Sequence, residues 1–137
     1  MDRLRLFIIA TLAILSVQGW TGDYVNLFSA FPTGAVNFST SGLLQALQKG
    51  GQVPVYHAFE GFLLVAFSLI VLILSLRTGA KGVQISSILG LAAVVSAAVG
   101  GILFVFSGFQ DNGSSAEMGG SFIGAYAFYF LELYFTK

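Results

Sequence analysis

The sequence predicts an all-α integral membrane protein, a bundle of four transmembrane helices that forms a single domain over residues 1–137. Three observations predict it. The chain is 56% hydrophobic and only 9% charged, whereas soluble domains carry roughly a quarter charged residues. Four apolar stretches are each long enough to cross a hydrocarbon core, which takes about 20 residues of helix. The basic residues, finally, segregate to one side of the topology that those stretches imply.

The first span is expected at Leu4–Trp20. Arg3 and Arg5 ahead of Leu6–Val17 have the form of a secretory signal, but Ser16-Val17-Gln18 is a poor small-x-small cleavage site, so the segment reads as a retained anchor helix. Spans two and three, His57–Leu76 and Ile85–Phe106, are joined by a short turn, Thr78–Gln84, that contains Gly79 and Gly82. The fourth, Ala116–Phe135, follows the turn Asp111-Asn112-Gly113. There Ser114-Ser115-Ala116-Glu117 has the S-x-x-E spacing of a capping box, with Ser114 as N-cap and Glu117 as the third helical residue.

Between spans one and two lies a long outer loop, Thr21–Tyr56, which calls for a structural reason in so small a bundle. Tyr24, Phe28 and Phe31-Pro32 suit an aromatic interfacial segment, and Ser41 suits the cap of a short helix bearing Leu43, Leu44 and Leu47. Together they are expected to lie over the outer end of the bundle.

Arg3, Arg5, Arg77, Lys81 and Lys137 all fall on one side of a four-pass topology, and only Lys49 falls on the other. The positive-inside rule then puts both termini in the cytoplasm, with the plasma membrane as the expected location. Two candidate glycosylation sites, Asn37 in Asn37-Phe38-Ser39 and Asn112 in Asn112-Gly113-Ser114, lie in the loops so assigned to the outside.

Composition also excludes. Zero net charge without a basic cluster leaves no electrostatic footprint for nucleic acid. The absence of cysteine removes thiolate metal sites, iron–sulfur clusters, disulfides and cysteine nucleophiles. Small residues at i+4 spacing, Ala93, Ala97 and Gly101 on span three and Ala116, Gly120 and Gly124 on span four, predict close helix packing in lipid.

His57 is the only histidine. It stands i, i+3 from Glu60, on a face that continues through Gly61, Leu64 and Ser68. On span four Met118, Ser121, Ala125, Tyr129 and Glu132 share a face. Spans two and four run in the same direction, so His57 and Met118 come to similar membrane depth at the outer end. An imidazole facing a thioether is an axial pair for haem iron, and Gly61, Gly119 and Gly120 would leave room for the macrocycle. The expected cofactor site is therefore one b-type haem with His57 and Met118 as iron ligands and Glu60 and Gly61 beside it. Glu60, a carboxyl inside a span, is expected to have a partner or a task, with Tyr56, His57 and Ser121 as partner candidates. Glu132 lies near Lys137 and is expected to snorkel to the inner surface.

The segments His57-Ala58-Phe59-Glu60-Gly61 and Met118-Gly119-Gly120-Ser121-Phe122, each opening a span at the outer side, resemble a four-helix half-repeat of haem A synthase-like membrane cytochromes. That resemblance implies a haem-carrying bundle. In that family both spans supply histidines, and here Met118 stands where the second would be.

No Ser/His/Asp set, metal-ligand cluster or phosphate-binding loop is present, so no independent enzyme activity is expected. The leading expectation is a small accessory subunit of a larger membrane complex of respiratory or redox type, with the lipid bilayer and other membrane subunits as partners. The alternatives are a small transporter or channel-like protein, and a membrane enzyme using His57 and Glu60 on a lipid or quinone.

Overall fold

The computed structural model describes residues 3–29 and 36–136; Phe31, Pro32 and Lys137 of the expectations above lie outside them. It is all-α, and among the described residues there is no strand. The elements are α1 Arg3–Phe28, α2 Thr40–Lys49, α3 Gln52–Leu76, α4 Lys81–Phe106 and α5 Asn112–Phe135. Helices α1, α3 and α4 are long and apolar enough to cross a membrane. The 24 residues of α5 reach about 36 Å, but glycines, serines and two glutamates make it less apolar.

Every long helix begins or ends beyond its expected span, for local reasons. Helix α1 runs on to Phe28 because nothing from Thr21 onward stops it. The ring contacts Trp20–Tyr24 (6.3 Å) and Tyr24–Phe28 (4.9 Å) stack along the extension at i, i+4 spacing. The connection from α1 to α3 thus leaves α1 at Ser29 rather than at Thr21, and it contains the short helix α2. Ser39, not Ser41, caps α2, its hydroxyl accepting from the Gly42 N–H at 3.0 Å. Helix α3 starts at Gln52 with Pro54 in its first turn, where the missing N–H has no intrahelical partner to lose. His57 consequently sits in the second turn.

Helix α5 also starts early. Asp111 is its N-cap, accepting from the Gly113 N–H at 3.0 Å and from the Ser114 hydroxyl. A carboxylate meets the partial positive charge of a helix start better than a hydroxyl does, so the expected Ser114–Glu117 capping box does not form. Glu117 instead accepts a hydrogen bond from Ser96 of α4 at 2.9 Å.

The four long helices form a ring in the order α1, α3, α4, α5, each packed on its two neighbours, so that α3 lies diagonally across from α5. Helix α2 rests on α3 and α4 at one end, where Phe38 meets Phe106 with ring centroids 4.2 Å apart. The core draws on all four long helices: Leu4, Ile8, Leu12 and Leu15 of α1, Leu64 and Val71 of α3, Val83 and Val94 of α4, Ala125 and Tyr129 of α5. In lipid such contacts hold helices by dispersion and fit, because acyl chains are as apolar as leucine.

The closest pair is α4 with α5. A Cβ on Gly100 would lie 3.1 Å from the Ser114 carbonyl oxygen and 3.3 Å from the Met118 nitrogen, and Gly124 faces Ala93. The small face expected on α4 is used. On α5 only Gly124 of that face is used: Ala116 and Gly120 are exposed, because that helix turns Ala125, Tyr129 and Glu132 inward.

Candidate functional site

Two polar clusters lie inside the ring, one toward each end. The first, toward the α2 end, joins α1 to α3. His57 Nε2 lies 3.2 Å from Gln18 Nε2, and His57 Nδ1 lies 3.0 Å from the Thr21 hydroxyl. Thr21 donates to Glu60 Oε2 at 2.7 Å. Thr21 has a single proton and gives it to the carboxylate, so its oxygen accepts from His57 Nδ1–H. The Nε2 lone pair then accepts from the Gln18 amide. That tautomer and amide orientation follow from the bonding pattern. The result is one directed chain, Gln18 to His57 to Thr21 to Glu60.

Its local causes are simple. Gln18 and Thr21 share a face at i, i+3 on the extended α1, and His57 and Glu60 do so on α3. Gly22 admits the ring: a Cβ there would stand 3.0 Å from His57 Cε1. Gly61 lies against the Gln18 side chain, its would-be Cβ 3.5 Å from Nε2.

The expected iron site divides. His57 turns both ring nitrogens to α1, whereas Met118 packs on α4, its Sδ 3.4 Å from where a Gly101 Cβ would be. Gly61 is covered by Gln18, and Gly119 and Gly120 face open space. An iron bound at Nε2 would have to displace Gln18, so the donor set as arranged does not fit a haem between His57 and Met118. Of the partners expected for Glu60, neither Tyr56 nor Ser121 bonds it; Thr21 does.

The second cluster lies toward the opposite end. Glu132 is fully buried and takes a hydrogen bond from Ser75 of α3 across the bundle axis, which corrects the expectation that it snorkels to the surface. The cause is rotational: Ala125, Tyr129 and Glu132 form one i, i+3/i+4 row, and burying the large tyrosine carries the glutamate inward with it. Gly90 of α4 makes room for that tyrosine, since a Cβ there would lie 2.8 Å from Tyr129 Cζ. Ser68 adjoins the Tyr129 phenol and Ser87 of α4 adjoins the Glu132 carboxyl, both short of hydrogen-bond geometry. Ser68, Ser75, Ser87, Tyr129 and Glu132 are all 0% exposed.

Sequence reasoning missed Gln18, Thr21, Ser75 and Ser87 as site residues. The signals were present: polar residues at i, i+3 on a helix with no breaker, and Ser68 with Ser75 seven apart on one face of α3.

Asn37 and Asn112 are both exposed at the α2 end, Asn37 ahead of α2 and Asn112 as the first residue of α5. Beside the latter, the hydrogen bonds from Ser114 and from the Gly113 N–H hold the Asp111 carboxyl below its ordinary value. Among the described residues no group of three or more His, Cys, Asp or Glu side chains is placed to hold a metal ion. No protein-family model matches the chain, and no curated protein or solved structure matches it significantly.

Proposed function

We propose that this chain is a four-span membrane protein of the transport class, handling protons or small cations through the interior of its bundle. Helix α5 serves as the fourth span, the termini and the Arg77–Lys81 turn face the cytoplasm, and α2 lies at the outer surface. The observation that carries the reading is Glu132, a wholly buried carboxyl within a membrane bundle. Interior carboxyls are expensive to place in a bilayer and mark ion or proton pathways. The chain Gln18–His57–Thr21–Glu60 gives the outer half a matching titratable site. A proton taken up at His57 Nε2 as Gln18 turns aside, with the Nδ1 proton passing to Thr21 and the Thr21 proton passing to Glu60, moves one proton along that chain and leaves the ring neutral.

The test is flux in proteoliposomes under an imposed membrane potential, followed with an internal pH-sensitive or Na+-sensitive dye. Wild-type protein is expected to pass protons or Na+, and Glu132→Gln to abolish the signal. Equal leak from wild type, Glu132→Gln and empty liposomes would overturn the reading.

A second reading, membership of a larger membrane complex, is favoured by one observation. The Ser96–Glu117 pair lies in the wall of an open groove of about 590 Å³, otherwise lined by apolar residues such as Leu72, Ile88, Val95 and Val99. A carboxyl on the outside of a bundle is better matched by a partner helix than by acyl chains. Under this reading Glu117→Leu lowers the recovery of membrane subunits that co-purify with the wild-type chain, and unchanged recovery counts against it. A redox form of it would rest on His57 and Met118, which do not converge.

A further inference from the structure

We infer that Glu132, with the hydroxyls of Ser75 and Ser87, forms an occluded site for one small monovalent cation, either Na+ among the oxygens or a proton held on the carboxyl. This deepens the transport reading and rests on it for the route by which the ion arrives. Two of its atoms are buried without a hydrogen-bond partner, Ser87 Oγ and Glu132 Oε2; Ser68, about 10 Å from Ser75 along α3, and the Tyr129 hydroxyl that it adjoins form a separate pair. Buried polar atoms in folded proteins are nearly always satisfied, and these two orphans, from α4 and α5, beside Ser75 of α3 point to a ligand they share.

Its chemistry follows from the donor set. The cluster has only oxygens, no nitrogen or sulfur, which suits a hard cation. It carries one carboxylate, which one positive charge neutralises. Ser75 is the partner of Glu132. The groups facing Glu132 are Tyr129 from its own helix, Ser75 from α3 and Ser87 from α4, with no cationic side chain among them. Arg3 and Arg5 of α1, Arg77 after α3 and Lys81 of α4 are exposed. A charged carboxylate buried without a counter-charge is disfavoured. A bound Na+ or an added proton resolves it.

Membrane-soluble carbodiimide tests the site on the full chain in sodium-free nanodiscs, because the reagent adds to protonated carboxyls in apolar surroundings and the adduct is mapped by fragment mass spectrometry. An adduct on Glu132 at acidic pH is expected. With a proton as occupant it is lost only as pH rises. With Na+ as occupant it is also lost on adding NaCl at fixed pH, and retained in choline chloride. Either pattern supports the site and names its ion. No adduct on Glu132 at any pH, or one indifferent to both pH and Na+, would overturn it. If Glu132→Gln fails to fold, Ser87→Ala keeps the carboxyl: NaCl protection, or the pH at which labelling is lost, should shift, and an unchanged profile would overturn the assigned oxygen set. Ion-sensitive labelling without liposome flux would sink the transport reading and leave the site standing.

Discussion

Thr21 is the hinge of the outer cluster, since a single hydroxyl satisfies His57 on one side and Glu60 on the other. Thr21→Val keeps the shape and removes both bonds, leaving a carboxylate and a ring N–H without their partner. The expected loss is about 1–3 kcal/mol, read as a lowered unfolding temperature in detergent, with Thr21→Ser close to wild type. Equal stability of the Val and Ser variants would show that the chain Gln18–His57–Thr21–Glu60 is not formed. Glu132 differs in having orphan oxygens around it, so its substitutions are expected to be read more in ion handling than in stability. His57 and Glu60 were legible as one polar face of a span, and their spacing needed no structure. Thr21 was not, because a span bounded at Trp20 ended before the helix did.

At the scale of elements, the close approaches of α4 decide which substitutions the bundle tolerates. Gly90→Val forces the Tyr129 ring aside and is expected to lower stability by about 1–3 kcal/mol through overpacking. Gly119→Ala and Gly120→Ala point to open space and are expected to be neutral or to stabilise by up to about 1 kcal/mol through helix propensity. Thermal unfolding of the three variants side by side checks the rotation of α5; similar losses at all three positions would contradict it. The α5 cap adds a pH dependence. The Asp111 carboxyl is depressed in the folded chain, so its stabilisation is present above its unfolded value and fades as pH falls through the folded one. Asp111→Asn should therefore unfold more readily than wild type at neutral pH, with the difference vanishing in acid. Helix identity was legible from apolar length and turn residues. The rotation of α5 was not, since two faces competed: a stripe of Ala116, Gly120 and Gly124 against a row of Ala125, Tyr129 and Glu132. The ring of the tyrosine, which only the gap at Gly90 admits, decides between them, and no spacing rule on α5 alone contains that gap.

For the whole molecule, the ring order α1, α3, α4, α5 explains why polar groups distant in sequence meet. Diagonal α3 and α5 touch through Ser75 and Glu132 across the axis, and adjacent α1 and α3 meet through Thr21, His57 and Glu60. That the chain is all-α with long apolar helices was readable from hydropathy, but which helices neighbour one another was not, because lipid-facing and partner-facing leucines look alike in sequence. In the proposed topology the bundle crosses the membrane four times, with the Glu60 cluster near the outer face and the Glu132 cluster near the inner one. The chain has no cysteine, so single exposed cysteines report sidedness directly. Gln48→Cys and Gln110→Cys should react with a membrane-impermeant maleimide on intact cells, whereas Ala80→Cys and Thr136→Cys should react only after permeabilisation. Labelling of Thr136→Cys on intact cells would mean that α5 does not cross, and would contradict the account.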